Sequence, residues 1–200
     1  MDQTKMRILS AAAKLFDIYG YKGTSVRHIA EEAQVNSALI SYHFQGKQGV
    51  LETLIASYFD TLFRLVEEQE IEYRDAPPYE RLEQIIGLYL RFQCEHAPIT
   101  RLIQRELSVE SMLAREVLTL YISRWKHGLS RVIEMGITSS EFQPVSTDRI
   151  VLAVISQMTY PFLQAQMVRQ VYDLEPYSEE FALWQQASIM RYLRACLLDA

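Results

Sequence analysis

The residues with the most chemical content lie close together near the start of the chain. Thr24 and Ser25 supply two hydroxyls where a helix is expected to begin, and the N–H groups of such a terminus suit a phosphate oxygen. Arg27, one turn further on, can reach a phosphate or take a guanine edge with two parallel hydrogen bonds. After the break at Gln34-Val35-Asn36, Ser37 and Ala38 are small enough to let a helix N-terminus approach base edges, and Ala38 can meet a thymine methyl. Tyr42 and His43 end the same short segment with polar tips, and Lys47 follows. This is hydrogen-bonding and charge chemistry directed at a polyanion. Each position also has a plainer use: Arg27 can pair with Glu31 one turn away, Tyr42 can pack under the elbow, and Phe44 suits the core.

Elements of helical period must hold these residues. Ile8, Ala12, Leu15, Phe16 and Tyr19 form one apolar stripe, and Gly20 follows as a stop. Thr24-Ser25 opens a second, short helix that turns Val26, Ile29, Ala30 and Ala33 inward. Ser37 caps a third from Ser37 to His43. After Gly46 a long helix carries Leu51, Leu54, Ile55, Tyr58, Leu62, Leu65 and Val66, running to about Tyr73. Helix, three-residue turn, short helix is the outline of a helix-turn-helix, whose second helix would enter the major groove of double-stranded DNA.

Beyond Pro77-Pro78, the clearest break, helices are expected near 79–95, through 98–135 with a stop at Gly136, from Ser146 or Thr147 past a kink or short break at Pro161, and from Ser178 to about Leu198. Nothing reads as a strand, and the fold class is all-α. Of the 200 residues 49% are hydrophobic, while Gly is only 7 and Pro only 6, which argues against folds that spend turn residues between strands. Net charge is −5. The first fifty residues, however, carry six basic against four acidic side chains, a net of +2. The other 150 carry fourteen against twenty-one, a net of −7. A basic head on an acidic body points to a polyanion-facing N-terminus.

The string Gly23-Thr24-Ser25-Val26-Arg27-His28-Ile29-Ala30, then Val35-Asn36-Ser37-Ala38-Leu39-Ile40-Ser41-Tyr42-His43-Phe44, with Lys47 behind it, resembles the TetR family of regulators. The resemblance implies a helix-turn-helix head over 1–46 and a helical dimerisation and regulatory domain over 47–200. It implies a homodimer joined by a four-helix interface of the last two helices, and palindromic DNA sites. DNA contacts are expected at Thr24, Ser25, Arg27, Asn36, Ser37, Ala38, Tyr42, His43 and Lys47, the last three on backbone phosphates. Excess apolar surface on the helix around 150–155, and on the last helix at Phe181 and Trp184, fits a partner copy. The family also implies a small-molecule pocket, for which His96, Tyr121, Trp125 and Tyr160 are lining candidates.

Arg101-Leu102-Ile103-Gln104-Arg105-Glu106, Leu113-Ala114-Arg115-Glu116 and Pro161-Phe162-Leu163-Gln164 resemble one branch of that family, from spore-forming Bacilli, that acts on the division protein FtsZ. That likeness implies roles in cell division and sporulation. On a helical wheel Leu113, Val117, Leu120 and Tyr121 form a stripe from which Arg115 faces away. Arg101, Arg105, Glu106, Arg115 and Glu116 are therefore candidates for a partner surface.

Other chemistry finds little footing. There is no G-x-S-x-G elbow, P-loop, H-E-x-x-H or glycine-rich dinucleotide fingerprint, so no enzyme and no cofactor are expected. Cys94-x-His96 offers two ligands, too few for a metal site. Cys94 and Cys196 read as reduced thiols. No signal segment or membrane span is seen, and a cytoplasmic, nucleoid-associated protein is expected.

Overall fold

Helix α1 (Gln3–Gly23) buries Ile8, Ala12, Leu15 and Phe16, the expected stripe, but leaves Tyr19 62% exposed. The reason is Gly20, which stands at φ 74 and ψ 166 and bends the chain before one more turn to Gly23. The structure is a computed structural model that describes residues 3–107 and 112–198; the side chains of 105–107 and 112–118 are outside the described set. Within it are α2 (Val26–Ala33), α3 (Ser37–Phe44), α4 (Lys47–Glu72), α5 (Pro78–Glu95), α6 (Ala97–Leu107), α7 (Met112–Thr138), α8 (Thr147–Leu163), α9 (Ala165–Tyr172) and α10 (Glu179–Leu197). No strand occurs among the described residues. None of these helices is long and apolar enough to cross a membrane, and no cluster of three or more potential metal ligands occurs among the described residues.

The chain forms two compact units, divided within α4 after Thr61. The first takes α1, α2, α3, the first half of α4 and, from later in the chain, α6. Ile29, Ile40, Val50 and Leu102 join the α1 stripe in its core. Asp17 of α1 receives two hydrogen bonds from Arg101 of α6, Nε to Oδ1 at 2.9 Å and Nη2 to Oδ2 at 2.6 Å. Tyr58 and Thr100 share a buried hydroxyl hydrogen bond of 3.0 Å between α4 and α6. Gly49 is required where α4 passes the end of α3, since a Cβ there would stand 1.8 Å from the Phe44 carbonyl oxygen.

The second unit holds the remainder, with α10 packed along α5 and α8 against α7. Its core includes Leu82, Ile86, Leu90, Leu129, Val132, Ile133, Val151, Val154, Met158, Phe162, Ile189 and Leu193. Pro78 is the first residue of α5, a position where its missing N–H costs nothing. Gly136 does not stop its helix. The chain runs on to Thr138, and the glycine makes room for the Phe142 ring, which a Cβ would approach to 2.2 Å.

Pro161 lies inside α8, which continues two residues further to Leu163, and the short break comes at Gln164, before α9. Proline withholds the N–H that would serve the Gln157 carbonyl, and Gln185 of α10 donates its Nε2 to that oxygen instead, at 2.7 Å. Phe181 joins the core, whereas Trp184 is 51% exposed. Leu120, expected on a buried stripe, is 68% exposed. Cys94 and Cys196 are free thiols, and partial burial pushes the Cys94 thiol up to about 11.

Candidate nucleic-acid interface

Helix α2 starts at Ser25, whose extended backbone places its hydroxyl to accept the His28 N–H at 3.1 Å. It ends at Gln34, which adopts the left-handed conformation (φ 53, ψ 48) and returns its N–H to the α2 carbonyls. The chain turns through Val35, and α3 opens on Asn36, whose Oδ1 accepts the Ala38 N–H at 2.9 Å. The cap of α3 is therefore Asn36, not the expected Ser37. Asn36 already has the extended backbone an N-cap needs, so Ser37 becomes the first helical residue.

Helix α3 buries Ile40 and Phe44 on one side and exposes Ser37, Ala38, Ser41 and Tyr42 on the other. Its exposed first turn is small and polar, with no bulky side chain at 37 or 38 to hold a surface away. Tyr42 is 78% exposed and stands edge-on to the His43 ring at 4.9 Å. It does not pack under the elbow, whereas Phe44 does enter the core.

The charged and hydroxyl candidates are divided between outward and inward uses. Ser25 and Arg27 are exposed, and Arg27 Nε holds the Glu31 carboxylate at 2.8 Å, which raises the guanidinium pKa by hydrogen bonding and then by charge. Thr24 is 2% exposed, and its hydroxyl donates to the Gly20 carbonyl at 2.9 Å. It supports the bend that precedes α2. Lys47 is half-buried and donates to the main-chain oxygens of Tyr21 (2.8 Å) and Thr24 (2.7 Å), with its ammonium 4.3 Å from the centre of the Tyr21 ring. Arg7, a residue the sequence did not single out, donates from Nη2 to the Ala33 and Gln34 carbonyls at 2.5 and 2.9 Å. No local pattern could have revealed it, because its partners lie 26 and 27 positions away.

Of the partner-surface candidates, Arg101 is bound to Asp17, while the side chains of Arg105, Glu106, Arg115 and Glu116 lie outside the described residues. Of the pocket candidates, Tyr121 and Trp125 meet at the Phe63 ring, and His96 and Tyr160 do not join them. Trp125 lines a cleft of about 380 Å³ with Phe63, Ile85 and the ion pairs Arg124–Glu67 and Arg131–Glu70. Tyr121 stacks on Phe63, His96 stacks on Phe92, and Tyr160 is exposed.

Residues 8–54 match the family described as bacterial regulatory proteins, tetR family. The chain is 32% identical over 189 residues to the "Probable HTH-type transcriptional regulator YttP" of Bacillus subtilis (strain 168), covering 90% of this chain and 91% of that relative. Among solved structures it resembles a tetR-family regulatory protein from Rhodococcus RHA1 (TM-score 0.76, 20% identity, 96% and 97% of the two chains). It also resembles the transcriptional regulator FadR of Bacillus subtilis in complex with stearoyl-CoA (TM-score 0.75, 19% identity, 94% and 96%). With a helix-turn-helix head, an all-helical body and a relative alike along nearly its whole length, this chain belongs to the TetR family of DNA-binding transcriptional regulators.

Proposed function

We propose that the protein is a homodimer that binds palindromic double-stranded DNA through α3, and that DNA binding is coupled to regulation of cell division through FtsZ. The observation that carries the DNA part is the exposed first turn of α3, with Ser37 and Ala38 beside the α2 terminus at Ser25 and Arg27. Ser37 and Ala38 meet base edges. Ser25, Tyr42 and His43 take backbone phosphates, Arg27 exchanges Glu31 for a phosphate or a guanine, and Asn36 sets the start of the reading helix.

Dimerisation is supported by apolar side chains left exposed on two helices of the second unit: Leu152, Tyr160 and Leu163 on α8, and Leu183 and Trp184 on α10. A second copy would cover them and present two recognition helices to half-sites about 34–36 Å apart. The FtsZ coupling is supported by the resemblance of residues 101–106, 113–116 and 161–164 to RefZ of spore-forming Bacilli. A second reading, a repressor released by a small molecule, is favoured by the cleft between α4 and α7, with its aromatic floor and charged rim.

A genome-wide occupancy map tests both. Sites gathered around the replication origin, together with an effect of the purified protein on FtsZ assembly that is lost on Arg115→Glu, are expected. Occupancy confined to a promoter beside the protein's own gene, with no effect on FtsZ, would replace the division reading with the repressor. Failure to select any sequence from random duplex DNA would overturn the DNA assignment itself.

A further inference from the structure

We infer that Arg7 and Lys47 are positioning residues, two inward-facing clamps that fix the recognition helix from its two ends, and that Lys47 does not neutralise a DNA phosphate. The inference rests on the DNA-binding reading of α3 given above. Helix α3 is eight residues long, too short to hold a place by its own helical stability. It is joined to α2 through left-handed Gln34 and to α4 through left-handed Gln45 and Gly46 at φ 113. Its orientation against α2 must therefore come from contacts beyond the turns.

Two cations provide such contacts. Arg7 Nη2 holds the last carbonyls of α2, at Ala33 and Gln34, where the helix dipole is negative. That fixes the turn leading into α3. Lys47 Nζ holds the Tyr21 and Thr24 carbonyls and sits on the Tyr21 ring, tying the residue after α3 to the chain entering α2. The two clamps thus close the helix-turn-helix into a ring, α1 to the α2–α3 turn and α4 to the α1–α2 turn. Lys14 and Arg27 are meanwhile paired with Glu32 and Glu31, so four of the six basic side chains of the first fifty residues have partners inside the head.

The test uses the full-length protein, a duplex carrying a sequence selected from random DNA, and an unrelated duplex of equal length, each titrated over a salt series. Lys47→Met is expected to lose tenfold or more in affinity for the selected duplex and almost nothing for the unrelated one, with an unchanged slope of log K against log salt. Lys47→Arg, which can serve both carbonyls, is expected to recover most of the loss. Tyr21→Leu leaves every charge in place and is expected to lower the ratio of selected to unrelated affinity in the same direction. In the DNA-free protein, amide exchange at α3 is expected to rise in Lys47→Met and in Arg7→Met, and this arm stands even if no sequence is selected. Equal weakening of both duplexes by Lys47→Met, a slope reduced by about 1.8 (about 0.9 for each of the two lysines of a dimer), no effect of Tyr21→Leu and unchanged exchange would return Lys47 to the phosphate and overturn the clamp.

Discussion

Replacing Gln185 by Leu keeps the side chain nearly the same size and removes its only donors. Gln185 is 7% exposed, and its Nε2 reaches the Gln157 carbonyl that Pro161 leaves without an amide partner. Stranding a buried carbonyl costs about 1–3 kcal/mol. For a chain of this size, each kcal/mol shifts Tm by about 2–4 °C, so Gln185→Leu is expected to lower Tm by roughly 3–10 °C. In a Pro161→Ala background residue 161 donates its own N–H to the Gln157 carbonyl, and the same Gln185→Leu change should then cost much less. The assay is a double-mutant cycle by urea or thermal denaturation of wild type, both single variants and the double variant. The coupling energy is expected to be about 1–2 kcal/mol, within the usual range for residues sharing a partner. Independent, additive effects of the two substitutions would refute the account of how α8 crosses its proline.

Two glycines offer a matched pair. Gly128→Ala meets nothing within 4 Å, so helix propensity alone should raise stability by about 0.5–1 kcal/mol; Gly49→Ala, 1.8 Å from the Phe44 carbonyl, should lower it by about 2–4 kcal/mol in the same denaturation assay. Asn36→Ala removes the α3 cap and is expected to cost about 1 kcal/mol and to speed amide exchange at Ala38, read by NMR. Cys94, with its thiol pushed up to about 11, carries little thiolate at neutral pH. Its alkylation at pH 8 should be roughly two orders of magnitude slower than that of an unshielded thiol, rising about tenfold per pH unit until near pH 11. Leu152→Glu should shift sedimentation from dimer to monomer with the helical circular dichroism intact, if the exposed α8 face meets a second copy.

What could be read in advance follows the range of the forces involved. The caps at Ser25 and Ser178 act within three residues, so residue type and position sufficed. The stripes of α1 and α4 were legible because burial repeats with the helical period. Gly136 was misread as a stop, and the break expected at Pro161 falls three residues later at Gln164, because the features that accommodate the two residues, the Phe142 ring and Gln185, reach them through the fold. Thr24 and Lys47 pointed to phosphate by residue type, since a hydroxyl or an ammonium serves a main-chain oxygen as readily as a phosphate oxygen. Arg101 was marked as surface charge for the same reason, its carboxylate partner standing 84 positions away.

The first compact unit has a consequence for how the protein is made. Its last helix, α6, is encoded after an excursion into the second unit, so a nascent chain that has just delivered α3 and half of α4 is still missing a wall. Until residues 97–103 emerge, Asp17 has no guanidinium, Tyr58 has no Thr100, and the apolar site that receives Leu102 and Ile103 stays open. Contacts of such long sequence separation form late. The DNA reader is therefore not a detachable cassette. Cutting the gene at the end of the helix-turn-helix would yield a head without its back, and recombination that exchanges heads among relatives would have to carry α6 along.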